Sequence, residues 1–441
     1  MIAKPKNKLQ LGFYSTFEEQ LSHSHPLYIL ANQIHWKIFD DAFSKHYSAT
    51  MGAPAKPIRL MVGLLILKQV RNLSDETVVE QWSENNYFQY VCGEEYYSNQ
   101  QPCSATELVE FRKRIGEEGF ALILQESIRI NGKDSNDSNL SADTTVQEKN
   151  ITYPTDDKLY KKIIKKCQAI AEKENISLRQ SYTRTLHSLS ILQRMKHKKQ
   201  GDGIARKANK KVKTIAGRLT RELERKLTTE GLGRWSADLQ LFTKVLMQKR
   251  GDTHKIYSLH EPHVQCFSKG KEHKKYEFGS KVSILITQKT GVIVGAMNFE
   301  QNMHDSKTLP AVIKQYKQLT GRQAKNIYVD RGYKGPRMIE ETNIHIPRPQ
   351  KNITQTKRNR HKRRAAIEPC IGHLKSDYRL SRNFLKGNYG DMINVLMAAA
   401  AMNFKRMMNL WKGGSHLFIL YLSMLIEEVF LSQKRKHFIQ A

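Results

Sequence analysis

One carboxylate lies among cations between His361 and Lys375, and this grouping could do chemistry on a phosphate ester. On a helix that turns about 100° per residue, Arg364, Glu368 and Lys375 fall within one narrow arc, which also contains His361. A carboxylate can bind a divalent metal, while neighbouring cations bind the oxygens of a phosphodiester. The alternative stays open on this helix alone: Glu368 could be only the i,i+4 partner of Arg364 on a basic face that binds nucleic acid.

Two further carboxylates accompany runs of residues that favour strands. Residues 326–329 indicate a short buried strand, which predicts Asp330 at its carboxyl end before a turn bounded by glycines. Asp143 lies in a second strand-forming run, residues 140–149. A lone aspartate of this kind is more often a turn or cap residue. Asp305 competes with Asp330 as the second acid, although it opens a predicted helix and is explained there as an N-cap.

Short motifs follow one another in a definite order along nearly the whole chain. They are Leu73-Ser-Asp-Glu76, Phe111-Arg-Lys-Arg-Ile-Gly116, Asp143-Thr-Thr, Tyr257-Ser-Leu-His-Glu-Pro262, Lys269-Gly-Lys, Glu277-Phe-Gly-Ser-Lys281, Asn302-Met-His-Asp305, Asp330-Arg-Gly-Tyr-Lys-Gly335 and the Glu368 segment. Together they resemble the DDE transposases of bacterial insertion sequences, most closely the IS5-like group. The signature around the glutamate of that family maps onto Arg364, Glu368 and Lys375, with His361 where the family often has Tyr.

The resemblance implies a catalytic triad of Asp143, Asp330 and Glu368 that binds two Mg²⁺ ions, for which Mn²⁺ can substitute. It implies strand cleavage and strand transfer at the terminal inverted repeats of an insertion sequence. The partners would be double-stranded DNA, at the element ends and at the target, and further copies of the chain in a homodimer or higher oligomer. The residues that we expect to contact DNA phosphates are Arg364, Lys375, His361, Lys269, Lys271, Lys281 and Arg331.

The charge and the cysteine content limit which binding partner and which cellular compartment suit this chain. Lys and Arg number 73 against 42 acidic residues, and a net charge of +31 indicates a polyanionic partner. The five cysteines form no Cys-x-x-Cys pair, which fits a reducing cytosol, and the first residues lack the apolar core of a signal peptide. We therefore expect a cytoplasmic, nucleoid-associated protein without a membrane span. Two rivals remain: a silent or repurposed relative that only binds DNA, and a nuclease without sequence preference.

The predicted domains follow the changes in pattern. Residues 1–25 are expected to be flexible, and residues 26–135 to form a helical, helix-turn-helix-like DNA-binding domain, or else a packing or dimer module. Residues 136–412 are predicted to be an α/β catalytic domain with the ribonuclease H-like fold that the resemblance implies, a mixed sheet flanked by helices. Residues 413–441 form an apolar and basic tail, whose apolar part is expected to be buried or to face a partner.

Within the catalytic domain, periodicity and turn residues predict strands at 255–261, 281–287, 291–299 and 345–347. They predict helices at 305–320, 336–342 and 389–411 and one helix around Glu368. A helical insert at about 157–249 is strongly basic, with 21 Lys or Arg against 5 acids from Lys158 to Lys226. We expect it to contact phosphates through Lys161, Lys162, Lys165 and Lys166, although a solvated arm is the alternative.

Two other groupings favour structural roles. His260-Glu-Pro-His263-x-x-Cys266 suggests a metal cluster, but it lacks the helical spacing of two histidines and contains Pro262. Contacts to phosphate or to a neighbouring strand suit it better. Trp235 could stack on a base, but its apolar neighbours favour a helix core residue.

Overall fold

The computed structural model describes residues 15–48, 55–197, 201–249, 251–268, 275–347 and 354–412. Residues 1–14, Lys269, Lys271 and the tail 413–441 lie outside the described residues. The helices are α1 (Phe17–Gln20), α2 (Pro26–Gln33), α3 (Trp36–Phe43), α4 (Ile58–Val70), α5 (Asp75–Glu84), α6 (Asn86–Val91), α7 (Ala105–Ile130), α8 (Asp156–Lys173), α9 (Thr183–Arg194), α10 (Gly201–Lys226), α11 (Thr229–Met247), α12 (Asp305–Thr320), α13 (Gln355–Arg364), α14 (Ile367–Asp377) and α15 (Gly387–Lys412). The strands are β1 (Asn139–Glu148), β2 (Gln265–Ser268), β3 (Tyr276–Thr287), β4 (Ile293–Phe299), β5 (Asn326–Tyr328), β6 (Met338–Ile339) and β7 (Thr342–His345).

The seven strands form one mixed sheet flanked by helices. Their order is β2-β3-β1-β5-β7-β6, and β4 also pairs with β3. The pairs β1–β3 and β3–β4 are antiparallel, whereas β1–β5 and β5–β7 are parallel. This arrangement confirms the predicted α/β class and its ribonuclease H-like order of three antiparallel strands followed by alternating helices and strands.

Helix α15 joins the N-terminal helices to the sheet in one continuous hydrophobic core. It packs against α7 and α4 on one side and against β4 on another. Residues 398–401 are four buried alanines, and their small side chains let neighbouring elements approach closely. The predicted domain boundary at residue 135 is therefore not a break in packing.

A buried ion group holds three N-terminal helices together. Asp75, in the first turn of α5, accepts from Lys68 of α4 at 2.7 Å and from both terminal nitrogens of Arg112 of α7 at 2.7 and 2.8 Å. These residues lie in or beside the motifs at 73–76 and 111–116. Both motifs therefore contribute to packing, and Arg112 itself is only 5% exposed.

Serine side chains cap the starts of two N-terminal helices, α5 and α7. The Ser74 hydroxyl accepts from Thr77 N at 3.0 Å, and Ser104 starts α7 with a capping box. Gly116 adopts φ 66° and kinks α7, which divides it into two helical parts. Phe17 is fully buried and packs with Leu21 and Tyr28, so the prediction of a flexible N-terminus is wrong from residue 17 onward.

Two predicted elements of the catalytic domain are wrong. Residues 255–261 form coil and bends, because the backbone pairing begins only at β2, after Pro262, which has no N–H to donate. Residues 336–342 form the β6–β7 hairpin, in which Glu340 takes a positive φ of 51° that ends any helix there.

The insert is a four-helix unit, α8 to α11, with a hydrophobic core of its own. Trp235 packs against that core and donates to Glu174 Oε1 at 2.8 Å, which agrees with its predicted structural role. Within the part of the chain that the structure describes, no helix is long and apolar enough to cross a membrane.

Candidate active site

Asp143 lies on β1, between β3 and β5, where the register pairs it with Ile284. Its Oδ1 accepts a hydrogen bond of 2.7 Å from the Thr144 N–H, and the side chain is 22% exposed. The residue lines a cavity of about 20 Å³, which has room for about one water molecule.

Asp330 lines the same cavity, two residues beyond the end of β5. Because β1 and β5 are parallel neighbours, the turn after β5 returns alongside Asp143. A Cβ atom at Gly332 would lie 3.2 Å from Asp330 Oδ2, so a larger residue at 332 would crowd the carboxylate. The structure thus brings together the two aspartates that the sequence selected.

Asp305 is a third carboxylate at this cavity. It is the first residue of α12, and the N-cap is His304, whose Nδ1 accepts from Ser306 N, so the predicted capping role of Asp305 is wrong. Asp305 instead accepts from the Thr144 hydroxyl at 2.9 Å and forms an ion pair with Lys281 of β3. Lys281 was predicted to contact phosphate, but here it neutralises Asp305 and donates to Met303 O.

Glu368 lies beyond a break in its predicted helix. Helix α13 ends at Arg364 and α14 begins at Ile367. Pro369 explains the break, because its ring has no N–H and would clash with the Ala365 carbonyl in a continuous helix. The Glu368 side chain is 64% exposed, in contrast to the two aspartates.

Arg364 connects two of the three predicted catalytic acids. Its Nη2 donates to Glu368 Oε1 at 3.2 Å, and its Nη1 lies 3.6 Å from Asp143 Oδ2. That Nη1 is buried and makes no hydrogen bond with the described residues. The predicted Arg364–Glu368 contact is therefore present, but the guanidinium lies where it also faces Asp143.

Lys375 has a partner that the sequence did not indicate. Its Nζ lies 3.9 Å from Oε1 of Glu277, a residue of β3 that is only 4% exposed. The other carboxylate oxygen of Glu277 is buried without a hydrogen bond from the described residues. The family-like motif at 277–281 thus supplies the partners of one cation and one acid, Glu277 for Lys375 and Lys281 for Asp305.

His361 packs edge-on against the ring of Tyr328, with 5.3 Å between ring centroids. Burial lowers its pKa, and the positive charges of Arg364 and Lys357 lower it further. The phosphate contact of His361 stays a prediction. Arg360, which the sequence did not single out within its basic run, bonds to Asn139 at the start of β1.

Burial is the main influence on Asp143, and it raises the pKa of this carboxyl group. The Thr144 hydrogen bond and Arg364 oppose the rise in pKa, whereas the negative charges of Asp330 and Asp305 add to it. The negative charges of Asp330 and Asp305 therefore disfavour the ionised form of Asp143, and a bound cation would offset them.

The donor set fits a hard cation such as Mg²⁺ in part. Asp143 and Asp330 offer carboxylate oxygens to one cavity, which is the ligand type that Mg²⁺ prefers. Glu368 is instead held by Arg364. Accordingly, the described ranges contain no group of three or more His, Cys, Asp or Glu side chains arranged to hold a metal. Arg331 is exposed next to Asp330.

The constellation at 260–266 contributes to a buried polar cluster at the base of the insert. Glu261 Oε2 lies 3.5 Å from Lys149 Nζ, which also donates to Asp391 Oδ1 of α15 at 2.7 Å. The Nε2 of His263 lies 3.4 Å from both carboxylates. We refer to Lys149, Glu261, His263 and Asp391 as the neck cluster, because it joins the strand that precedes the insert to the loop that follows it.

Comparisons with known proteins match most of the chain outside the insert. The family described as Transposase domain (DUF772) matches residues 15–114, and the family described as Transposase DDE domain matches residues 248–404. An uncharacterized protein, ORF8 in the nfe locus of Rhizobium meliloti, is 43% identical over 160 residues, which cover 35% of this chain and 77% of that protein. No solved structure matches the chain. Asp330 and Glu368 lie within the second matched range, whereas Asp143 lies between the two.

Proposed function

The chain belongs to the DDE transposases of insertion sequences, and from that premise we propose that it cuts and joins DNA at the terminal inverted repeats of its own element. One observation carries this proposal. Asp143 from β1 and Asp330 from the turn after β5 line a single cavity, and Arg364 links Asp143 to Glu368. These are the three acids that the motif order selected, and they come from segments far apart in sequence.

In the proposed mechanism, Asp143, Asp330 and Glu368 hold the metal. Two Mg²⁺ ions, for which Mn²⁺ can substitute, would supply activation of the attacking oxygen and stabilisation of the leaving 3′-oxygen. Glu368 accepts from Arg364 through Oε1, so its exposed carboxylate could contribute the other oxygen, Oε2, as a ligand. The Arg364 guanidinium, whose Nη1 lacks a hydrogen-bond partner among the described residues, would bind a phosphate oxygen. Lys375 contributes a second cation for the phosphate.

We propose duplex DNA as the partner, at the element ends and at the target, with two or more copies of the chain in the complex at the bacterial nucleoid. The net charge of +31 supports a polyanion. The outer face of α5 is less suited to the groove-reading role expected of residues 26–135, because it exposes Glu76, Glu80 and Glu84. This acidic face favours a packing or dimer role for the α4–α5 pair.

The test uses the full chain and a duplex that carries the terminal repeats of its element. In Mg²⁺, the variants Asp143→Asn, Asp330→Asn and Glu368→Gln should each lose strand cleavage and transfer, while binding of the repeat DNA persists. Asp377→Asn is the matched control, because Asp377 is an exposed carboxylate on α14 that bonds only to nearby His373 and Ser376.

Two results would change the assignment. If Asp330→Asn cleaves normally and Asp305→Asn does not, Asp305 is the second catalytic acid. If the unaltered chain binds the repeats but no divalent metal supports cleavage, the protein is the DNA-binding relative that the sequence left open.

A further inference from the structure

Helices α9 and α10 of the insert border a surface groove of about 480 Å³, which we call the α9–α10 groove. Four cations line it: Lys207, Lys210, Lys211 and Arg218. Thr185 and Thr214 line it as well, although the Thr214 hydroxyl already donates to Lys210 O at 3.0 Å. None of the described residues that line the groove is acidic.

Most of the groove residues lie on one face of α10 because of their spacing in the sequence. Lys207, Lys211, Thr214 and Arg218 are spaced i, i+4, i+7 and i+11, and all four are exposed. The opposite face, which includes Val212, is buried in the core of the insert. At 1.5 Å per residue, the row extends over about 16 Å, roughly half a helical turn of B-DNA.

Two acidic residues of α10 are paired outside this row. Asp202 forms its ion pair with Arg206, and Glu222 forms its ion pair with Lys226. The four groove cations form no ion pair with a described residue, and their like charges repel one another. A bound polyanion would remove that repulsion.

Several lysines of α8 are different, because they already have partners within the protein, although Lys165 is exposed. Lys158 donates to Tyr153 O at 3.2 Å, Lys162 to the Thr152 hydroxyl at 2.8 Å and Lys166 to Asp238 at 3.0 Å. The sequence pointed to α8 as the phosphate-binding helix of the insert. The contacts favour α10 instead.

We propose that the α9–α10 groove binds the phosphodiester backbone of duplex DNA without sequence preference. This inference rests on the proposed function and adds the surface by which the insert holds DNA. Lysine, arginine and threonine donors are the groups that contact phosphate oxygens, and such contacts position a protein without reading bases. Lysine in particular binds phosphate as a mobile point charge.

The experiment measures the affinity of the full chain for a fluorescent duplex of arbitrary sequence at several KCl concentrations. The test variant is Lys207→Gln, Lys210→Gln and Lys211→Gln together. The control removes the same charge from α8, through Lys158→Gln, Lys162→Gln and Lys166→Gln. Glutamine keeps helix propensity close to that of lysine, and circular dichroism melting curves check that both variants fold.

We expect weaker binding by the α10 variant and a shallower dependence of log K on log salt. Each lost phosphate contact lowers that slope by about 0.9, so the slope should fall by about 1.8 to 2.7 for two or three contacts. The control should change the slope by less than the value of about 0.9 that one phosphate contact contributes. Equal effects of the two variants would mean that net charge alone matters, and no effect of the α10 variant would mean that DNA does not enter the groove.

Two further readouts separate this inference from the proposed function. If the α10 variant loses self-association in sedimentation but keeps its DNA affinity, the groove binds another copy of the chain and the inference is wrong. If the α10 variant binds and cleaves repeat DNA like the unaltered chain, the inference fails while the proposed function stands. Failure of the unaltered chain to bind any duplex would overturn both.

Discussion

At the scale of single residues, Arg364 decides how the candidate site is arranged. It contacts Asp143 and Glu368 at once, so the two acids are already near each other through a shared cation. In this arrangement the protein supplies its own positive charge where the proposed function requires metal ions. In the proposed function, a phosphate of the DNA would give the Nη1 of this guanidinium the hydrogen-bond partner that it lacks among the described residues.

The pairing of Lys375 with Glu277 leads to a kinetic prediction. Lys375→Ala should lower the single-turnover rate of strand transfer at saturating DNA more than it lowers affinity, because its cation acts mainly on the transition state. Glu277→Gln should lower the rate less, and in the same direction, because it leaves Lys375 in place but without its buried partner. An unchanged rate in Lys375→Ala together with weaker binding would make this residue a docking contact.

The raised pKa of Asp143 leads to a prediction about stability. A carboxyl whose pKa is raised by burial holds its proton more tightly in the folded state, so its ionisation costs stability as pH rises from its unfolded-state pKa through its folded-state pKa. Asp143→Asn should therefore melt higher than the unaltered chain at pH 7.5 without metal. The gain should be on the order of 2 °C for each kcal/mol of relieved repulsion.

The same gain should shrink as the pH falls towards the folded-state pKa of Asp143 and in excess Mg²⁺, because protonation or a bound cation relieves the unaltered chain as well. Melting curves by circular dichroism under the three conditions provide the measurement. A lower melting temperature for Asp143→Asn at pH 7.5 would show that the Arg364 ion pair outweighs burial.

Residue type and position in a strand were enough to select Asp143, Asp330 and Glu368 from the sequence. They could not reveal the partners of these residues. Thr144 and Asp305 are 161 positions apart, and nothing local to either segment indicates that they share a hydrogen bond. Contacts of this kind depend on strand register and helix placement, which only the folded chain defines.

At the scale of elements, helix periodicity predicted α12 and α15 nearly to the residue, because both carry long apolar stripes and clear ends. Short elements were less predictable. β6 has two residues, and its pairing with β7 outweighs the helical preference of its segment. The break before α14 could have been found, since Pro369 is visible in the sequence.

Gly116 provides a test of backbone strain within α7. Its φ of 66° and ψ of −173° are nearly exclusive to glycine, so Gly116→Ala should lower the free energy of unfolding by about 1–3 kcal/mol. The added methyl group meets no atom within 4 Å, so the loss comes from the backbone alone. Urea unfolding of the full chain measures it.

Gly372→Ala is the matched control, because Gly372 lies inside α14 with equally open space for a Cβ atom and without a positive φ. It should raise the free energy of unfolding by up to about 1 kcal/mol. Equal effects of the two substitutions would show that α7 straightens when the glycine is replaced.

At the scale of the whole molecule, the main hydrophobic core and the separate core of the insert predict which fragments of the chain fold alone. Residues 60–70 of α4 are all buried, and α4 and α7 both pack against α15. A fragment of residues 26–135 would expose this surface and should not unfold cooperatively. A fragment of residues 151–260 keeps the core of α8 to α11 and should give a helical spectrum with a cooperative melt.

Circular dichroism of the two fragments provides the measurement, with the full chain as reference. Cooperative unfolding of the fragment 26–135 alone would support the sequence-based prediction of a separate N-terminal domain. An unfolded insert fragment would mean that the neck cluster is needed to hold its helices.

The neck cluster also bears on how such a protein can change over time. Lys149 and Glu261 close the base of the insert, so the chain leaves and re-enters the sheet at almost one point. We expect that the segment between them can change in length or sequence without altering the strand order. The spacing of Asp143 and Asp330 would then stay the same. If the insert holds DNA as we propose, exchanging this segment during evolution would change how the protein contacts DNA without moving Asp143 or Asp330.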